Sequence, residues 1–347
     1  MAAMKRVARP TTAADAPAIR ELFAAAALHP NVDAQALNWK YWQPRADWPG
    51  PRSFILTDDG VPVAHGAIVP TWCASPAQRV SMIHVIDWVA RPGAIGAGVA
   101  LMKHIGRQSQ ALLAVGGSAD TAQILPLIGF RDTGAVTGYV RALFPLRLLR
   151  DSASQRGRLV PRFVRSLVWT LGASTTGSAD WAVRRLEATD LEAIAAALPT
   201  PARGIAVLER NPALLRHALE CPIASMALYA MEKSGRARGY FLLASAPGQV
   251  RIADCWMDSD ELDDWRAMVV CAVKQARRDG QAAEVVTWAN DRLLEEALSA
   301  CGFRARLKFP VRLRAADAAL LPPLPVRVQM LDNDAAFLHH GRREYWA

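Results

Sequence analysis

The spacing of apolar positions changes period repeatedly along this chain, and each change marks an element. Ile19, Leu22 and Phe23 recur at helical spacing behind Thr11, Thr12 and Asp15, which predicts a helix over residues 13–27 and a second over 34–42. Apolar runs at 53–57 and 61–69 flank Asp58-Asp59-Gly60, the residue chemistry of a tight hairpin. A third strand is expected over 80–89. After a turn holding Gly93, Gly96 and Gly98 come a helix over 99–110, a buried strand over Ala111–Val115, a helix over 119–128, and strand sequence through Phe130 to Leu143. Hairpins first and a βαβ unit after them predict a mixed sheet with helices on both faces, of the α/β class.

The second half repeats this order. Helical patterns at 190–198 and 207–219 precede strands at 225–231, 238–244 and 249–257, then a helix over 261–278, a strand over 284–289, a helix over 291–300 and strands at 303–308 and 311–314. Individual residues repeat too. Gly66 and Gly239 each sit in an apolar strand, and Gly129-Phe130-Arg131 returns as Gly302-Phe303-Arg304, both at an offset of 173. Asp15-x-x-Ala-Ile19 returns as Asp190-x-x-Ala-Ile194, and Asp87-Trp88 is echoed by Asp254-Cys255-Trp256. A period close to half of the 347 residues means two whole domains, not a solenoid of short repeats. The boundaries expected are a first domain at 1–145, a basic amphipathic linker at 146–179, a second domain at 180–320, and a tail at 321–347 that docks on the domains.

Composition agrees with two ordinary domains: 52% hydrophobic and 21% charged residues exclude a disordered or fibrous chain. No apolar run approaches the roughly 20 residues needed to span a bilayer. The first ten residues carry Lys5, Arg6 and Arg9 with no apolar run behind them, unlike a secretory signal. Five cysteines without Cys-x-x-Cys spacing fit buried thiols in a reducing, cytoplasmic setting. The net charge of +9 is concentrated: between Arg141 and Arg165 seven arginines face a single acid, Asp151. Three readings of that stretch stand side by side: a connecting segment with solvated arginines, attraction to an anionic membrane surface, and contact with a polyanion such as RNA or a coenzyme phosphate. No helix-turn-helix, zinc finger or RNP-type strand appears, so DNA is not an expected partner.

The order helix, helix, antiparallel strands, glycine turn, helix, strand, helix, Gly-Phe, strand resembles the GNAT superfamily of acyl-CoA-dependent N-acyltransferases. Its two copies resemble the tandem members. The likeness covers roughly residues 5–145 and 180–315. Gly93, Gly96 and Gly98 lie between a strand and a helix, where small residues admit a ligand to free backbone N–H groups and the helix dipole favours an anion. The resemblance implies that this anion is the pyrophosphate of coenzyme A, with acetyl-CoA or another acyl-CoA as co-substrate, cradled by Trp88, Val89, Ala94, Ile95, Gly96, Ala97, Gly98 and Val99. The family pattern Gln/Arg-x-x-Gly-x-Gly/Ala is met by Gly96-Ala97-Gly98, with Gly93 standing where Gln or Arg is usual. The corresponding second turn, Asp258-Ser259-Asp260-Glu261, has no glycine and is acidic, so the second copy reads as degenerate.

Acyl transfer to an amine needs a proton acceptor and donors to the carbonyl oxygen. Asp87 lies in the strand that carries the general base in many relatives and is the first catalytic candidate; a structural pairing with an arginine or a loop is the competing reading. His84 is the second. By strand alternation the two point to opposite faces unless a bulge intervenes. The resemblance implies a backbone N–H near Val89 as donor to the thioester carbonyl. It also leads one to look for a tyrosine four residues before the Gly of Gly-Phe, where this chain has Leu125 and Leu298. The aromatic cluster Trp39, Tyr41 and Trp42 falls in the region that shapes the acceptor pocket in relatives, although core packing explains it as well. His339-His340 lacks a third placed ligand, and no metal is expected. The expectation is therefore an N-acyltransferase acting on a primary amine of a small molecule or sugar. The alternatives are a tRNA-dependent aminoacyl transferase of the tandem type and a non-catalytic binding protein on the same fold.

Overall fold

The computed structural model describes residues 5–28, 31–144, 147, 180–201, 204–280, 282–322, 325–339 and 345–346. Apart from Arg147, the expected linker at 146–179 lies outside the described residues. The chain forms two compact units. Unit 1 comprises residues 1–134, 201–209 and 310–326, and unit 2 comprises 135–200, 210–309 and 327–347.

In unit 1 the elements run β1 (Arg6–Pro10), α1 (Ala16–Ala25), α2 (Ala34–Leu37), β2 (Ser53–Asp58), β3 (Val61–Ala74), β4 (Arg79–Ala90), α3 (Ala97–Ile105), β5 (Ala111–Val115) and α4 (Ala119–Leu127). Helix α2 widens into a π-helical turn over Asn38–Trp42. Strands β1 to β4 pair antiparallel in sequence order, and β5 joins β4 in parallel. Strand β1, which the hydrophobic pattern does not announce, is exposed along most of its length and survives as an edge paired to β2. Period-two alternation divides the sheet's side chains between two cores. Leu56, Ile68 and Ile83 pack with Leu101 and Ile105 of α3, while Ile55, Ile86 and Val89 pack with Ile19 and Phe23 of α1 and Leu37 of α2.

After β6 (Arg131–Ala142), unit 2 repeats the scheme with β7 (Ala182–Leu186), α5 (Pro212–Leu219), β9 (Ser225–Lys233), β10 (Arg236–Ala246), β11 (Gln249–Met257), α6 (Leu262–Asp279), β12 (Glu284–Ala289), α7 (Arg292–Ala300) and β13 (Arg304–Ala315). The short strand β8 (Ala206–Leu208) belongs to unit 1, where it pairs with β3. The helix expected over 190–198 is a 3-10 helix, Leu191–Ala197. Strands β7, β9, β10 and β11 pair antiparallel in that order, and β12 joins β11 in parallel, as β5 joins β4.

The repeated residues do the same job in each unit. Gly129 and Gly302 take φ of 92° and 81° just past the ends of α4 and α7, a conformation that favours glycine. The N–H of Phe130 then returns to the Leu125 carbonyl at 3.1 Å and that of Phe303 to the Leu298 carbonyl at 3.0 Å, burying both phenylalanines. The two leucines at the positions where a tyrosine is usual are thus buried helix-capping partners.

The last strands are exchanged relative to the expected boundaries. Residues Thr137–Ala142 of β6 pair antiparallel with β12 and belong to unit 2, while Val311–Ala315 of β13 pair with β5 and belong to unit 1. Both strands follow an equivalent helix and Gly-Phe stop, so their sequences carry no signal of which neighbour each will join.

Candidate active site

Between β4 and α3 the chain makes tight turns closed by Ala94 N–H to Arg91 O at 3.0 Å and Ala97 N–H to Ala94 O at 3.1 Å. Gly96, with φ of 75°, occupies the N-cap of α3 and its carbonyl starts the helix by accepting the Ala100 N–H at 2.9 Å. The amides of Gly98 and Val99 fall in the first turn, where no intrahelical acceptor exists, and that turn carries no acid. Arg6 reaches over from β1, pairs with Asp58 at 2.9 Å and donates to the Ile95 carbonyl at 3.0 Å. Its guanidinium lies 3.6 Å from where a Cβ on Gly96 would stand. On the inner side, the Trp88 indole donates to the Gly98 carbonyl at 3.0 Å, and a Cβ at Gly98 would meet that ring at 3.4 Å. Small residues, first-turn amides without helical acceptors, no acid in that turn and a guanidinium alongside, itself paired with Asp58, fit an anion such as a pyrophosphate. Where the turn's own sequence has Gly93, the guanidinium that touches it is that of Arg6, which sequence reasoning missed because it lies 89 residues from the carbonyl it bonds.

Strand β4 pairs with β5 only over Met82–His84 and continues to Ala90 on the β3 side alone. Opposite Gly66 its register slips, with His65 facing Val89 and Ala67 facing Ile86, so Asp87 and Trp88 share one partner position. This is a β-bulge, and Asp87 carries its strain with φ of 51°. Gly66 gives room here: a Cβ would stand 2.9 Å from Ile105 Cδ1, the end of a side chain that would have to shift. The bulge is the condition under which the opposite-face expectation for His84 and Asp87 lapses. On either side of it, Ile86 and Val89 face the α1 core while Trp88 turns to the α3 core.

Asp87 is held on all sides. Lys40 Nζ lies 2.7 Å from its carboxylate and the Tyr41 hydroxyl donates to it at 2.6 Å, with the Asp87 and Lys40 side chains 4% and 2% exposed. Burial pushes the Asp87 carboxyl up, but the Lys40 charge and the hydrogen bonds from Lys40 and Tyr41 outweigh it and leave the group below the usual carboxylate range. The carboxylate is therefore ionised and paired, which makes it a weak proton acceptor. The partner is a lysine and not the arginine that the competing reading named. A second clamp is a chain of buried hydrogen bonds running in one direction. Trp42 Nε1 donates to Thr11 Oγ1 at 3.0 Å, Thr11 to Ser53 Oγ at 2.7 Å, Ser53 to His65 Nε2 at 2.9 Å, and His65 Nδ1 to the Asp87 carbonyl at 3.2 Å. Burial, partly countered by Asp87, lowers the His65 pKa to about 4 and keeps the ring neutral. His84 is buried and its Nε2 accepts the Val115 N–H at 3.4 Å, next to where β4 and β5 part.

The three aromatic candidates have different fates. Trp39 is buried, and its carbonyl accepts from Arg52 at 3.0 Å. Tyr41 and Trp42 line a cavity of about 490 Å³. Lys40 and His65 were not singled out by sequence; a lysine inside an aromatic helical turn was the available signal. In unit 2 the equivalent aspartate, Asp254, is fully buried, paired with Arg210 at 2.8 Å and with the Tyr240 hydroxyl at 2.6 Å. The turn before α6 spends Ser259 on the Glu261 amide at 3.2 Å and on Asp264 at 2.5 Å, and Asp263 and Asp264 occupy the first helical turn. Among the described residues no cluster of potential metal ligands occurs. Arg141, counted above with the basic stretch, is not a surface charge. It is buried in unit 2, donating to the Cys301 carbonyl at 2.7 Å, and burial lowers its pKa, with Arg277 adding to the effect.

Solved structures share this architecture. A GCN5-related N-acetyltransferase from Anabaena variabilis matches 91% of the chain and 74% of its own, with a TM-score of 0.60 and 13% identity. One from Kribbella flavida matches 91% of the chain and 72% of its own, with a TM-score of 0.59 and 17% identity. The N-myristoyltransferase of Saccharomyces cerevisiae, solved with bound myristoyl-CoA and inhibitors, matches 89% of the chain and 80% of its own, with a TM-score of 0.62 and 13% identity. No family model matches the chain, and no curated protein matches it in sequence. The class these likenesses define is the GNAT fold. More particularly, the chain carries that fold in its tandem form, the type to which N-myristoyltransferase belongs.

Proposed function

We propose that this chain is an acyl-CoA-dependent N-acyltransferase, with acetyl-CoA the first co-substrate to test, acting on a primary amine. The observation that carries the proposal is the turn before α3: glycine at positive φ, first-turn amides without helical acceptors, no acid, and the Arg6 guanidinium alongside. The fold agrees, since the similar structures include N-acetyltransferases and an enzyme with myristoyl-CoA bound. Gly96 to Val99 and Arg6 would hold the coenzyme's phosphates. When bound, an acyl-CoA supplies an activated carbonyl and a thiol leaving group, whose sulfur ends with the proton the amine gives up.

The bulge at Asp87 interrupts the β3–β4 ladder beside the part of β4 that β5 leaves unpaired, and in this reading a backbone N–H near Val89 receives the acyl oxygen. In this reading Asp87 is a positioning residue, its ionised carboxylate anchoring the bulge through Lys40 and Tyr41. His84 ties the end of β5 to β4 at the mouth of the same opening. Five cysteine thiols, four of them buried, support placement in the reducing cytoplasm. Among the described residues no helix is long and apolar enough to cross a membrane.

Calorimetry with acetyl-CoA tests the reading. Wild type should bind, and Gly96→Glu, which puts a carboxylate and a strained φ at the anion site, should not. Equal affinity in the two proteins, or binding in neither, would remove it.

A further inference from the structure

The cavity beside Tyr41 and Trp42 has a built wall. The loop between α2 and β2 is stiffened by Pro44, Pro49 and Pro51 and closed by an isolated bridge between Arg45 and Trp48. The Trp48 indole packs so closely on Gly50 that a Cβ there would stand 3.0 Å from Nε1. Two indoles and a phenol therefore face the space from fixed positions. The charged residues lining it are Arg45 and Arg52, with no carboxylate among the described lining residues. Both are at least nine-tenths buried. Arg45 is braced by a two-point pair with Asp47 at 2.6 and 3.0 Å, while Arg52 donates to the carbonyls of Trp39 and Gln43. Burial above all, with a smaller contribution from the Arg45 charge that Asp47 opposes, lowers the Arg52 pKa to about 9.

The same wall reaches the bulge. Tyr41 lines the cavity and donates to Asp87, and Thr11, another lining residue, begins the three-bond chain through Ser53 and His65 to the Asp87 carbonyl. A volume of about 490 Å³ is within the usual size for a small-molecule site.

We infer that this cavity is the acceptor pocket and that its occupant is an amine carrying a carboxylate and an apolar or aromatic side group, that is, an amino acid, with the carboxylate facing Arg45 and Arg52 and the side group against Trp42 and Trp48. The inference rests on the acyltransferase reading and narrows its substrate class. A plain alkylamine, a polyamine or a neutral amino sugar lacks the anion that this wall is charged to meet.

The test is binding by calorimetry to the full chain, with and without saturating acetyl-CoA, of matched pairs that differ by the carboxylate: phenylalanine with phenethylamine, leucine with isopentylamine, histidine with histamine. At least one amino acid should bind roughly tenfold or more tightly than its decarboxylated partner, the scale of a charge-assisted hydrogen bond. In Arg45→Gln/Asp47→Asn, which removes the arginine without stranding its acid, that preference should fall to near unity while acetyl-CoA affinity is kept. Trp48→Ala should weaken both members of a pair alike, because it removes the apolar wall and not the charge. Should the double variant fail to fold, Arg52→Lys, with its charge retained, should weaken the amino acid more than its decarboxylated partner. Acetyl-CoA binding with no preference in any pair overturns the inference and leaves the acyltransferase reading standing. Carboxylate preference without acetyl-CoA affinity removes that reading and, with it, the acceptor role of the cavity.

Discussion

His65 donates from Nδ1 to the backbone carbonyl of Asp87 at 3.2 Å, fixing from the neighbouring strand the one residue at which β4 leaves its ladder. Because Ser53 donates to the other ring nitrogen, the tautomer is set by the chain of bonds and not by solvent. The carboxylate of the same residue is fixed from the opposite direction by Lys40 and Tyr41. A non-glycine residue at φ of 51° is costly unless its surroundings determine it completely, and here they do.

Breaking that anchor leaves a buried charge without its partner. Asp87→Asn and Lys40→Met should each cost about 3–5 kcal/mol by urea denaturation, and the double variant should cost clearly less than the sum of the two. Additive losses would show that the pair is not a unit. The Asp87 contribution should be full above the ordinary carboxylate value of 3.8 and be lost as pH falls towards the lowered folded value.

The neutral buried His65 makes a separate contribution at milder pH. Its pKa is about 4 in the folded chain against an ordinary 6.5, so between those values the unfolded chain binds the proton and the folded chain does not. Stability should therefore fall as pH drops from about 6.5 to about 4, by on the order of 3 kcal/mol. His65→Gln, which keeps a hydrogen-bonding group and cannot titrate, should flatten that slope in pH-resolved denaturation curves. An unchanged slope would reject the assignment.

An alanine at Gly66 should force the Ile105 side chain to shift. Its Cβ would sit 2.9 Å from Ile105 Cδ1, so Gly66→Ala should destabilise by about 1–3 kcal/mol. Ile105→Val removes the offending atom, and the double variant should recover part of the loss in a thermal unfolding experiment.

In unit 2, Arg210 sits between Asp254 at 2.8 Å and Asp332 at 2.7 Å. Burial lowers its pKa, but the two carboxylates outweigh that and raise it well above the ordinary value; Asp332 is raised by burial despite the arginine. Arg210→Met should strand two buried acids and cost about 3–5 kcal/mol or more, with the loss shrinking as acid protonates them. A loss that stayed constant from neutral pH into acid would argue against unpaired carboxylates as its cause.

Much of the fold was legible because its signals are local. Helical and strand periods, the Asp58-Asp59-Gly60 hairpin and the two Gly-Phe stops act within a few residues, and the elements of the first half appear within a few residues of their expected bounds. The glycine turn was legible for the same reason. Arg6, Lys40 and His65 were not, because each acts on residues 89, 47 and 22 positions away. The bulge was likewise invisible in the alternation of 82–89, since it arises from the register that Gly66 permits between two strands.

By itself, then, the sequence determined the duplication, the element order and a glycine-containing turn in the first copy where the second copy carries acids. Tertiary structure decided that the Asp87 carboxylate is buried and paired with Lys40 and Tyr41. It also decided which strand closes each unit: β6 beside β12, and the end of β13 beside β5. The physical reason is the same in both cases. Periodicity and caps are written in neighbouring residues, whereas strand partnership and the ionisation of a buried group depend on what folding brings alongside.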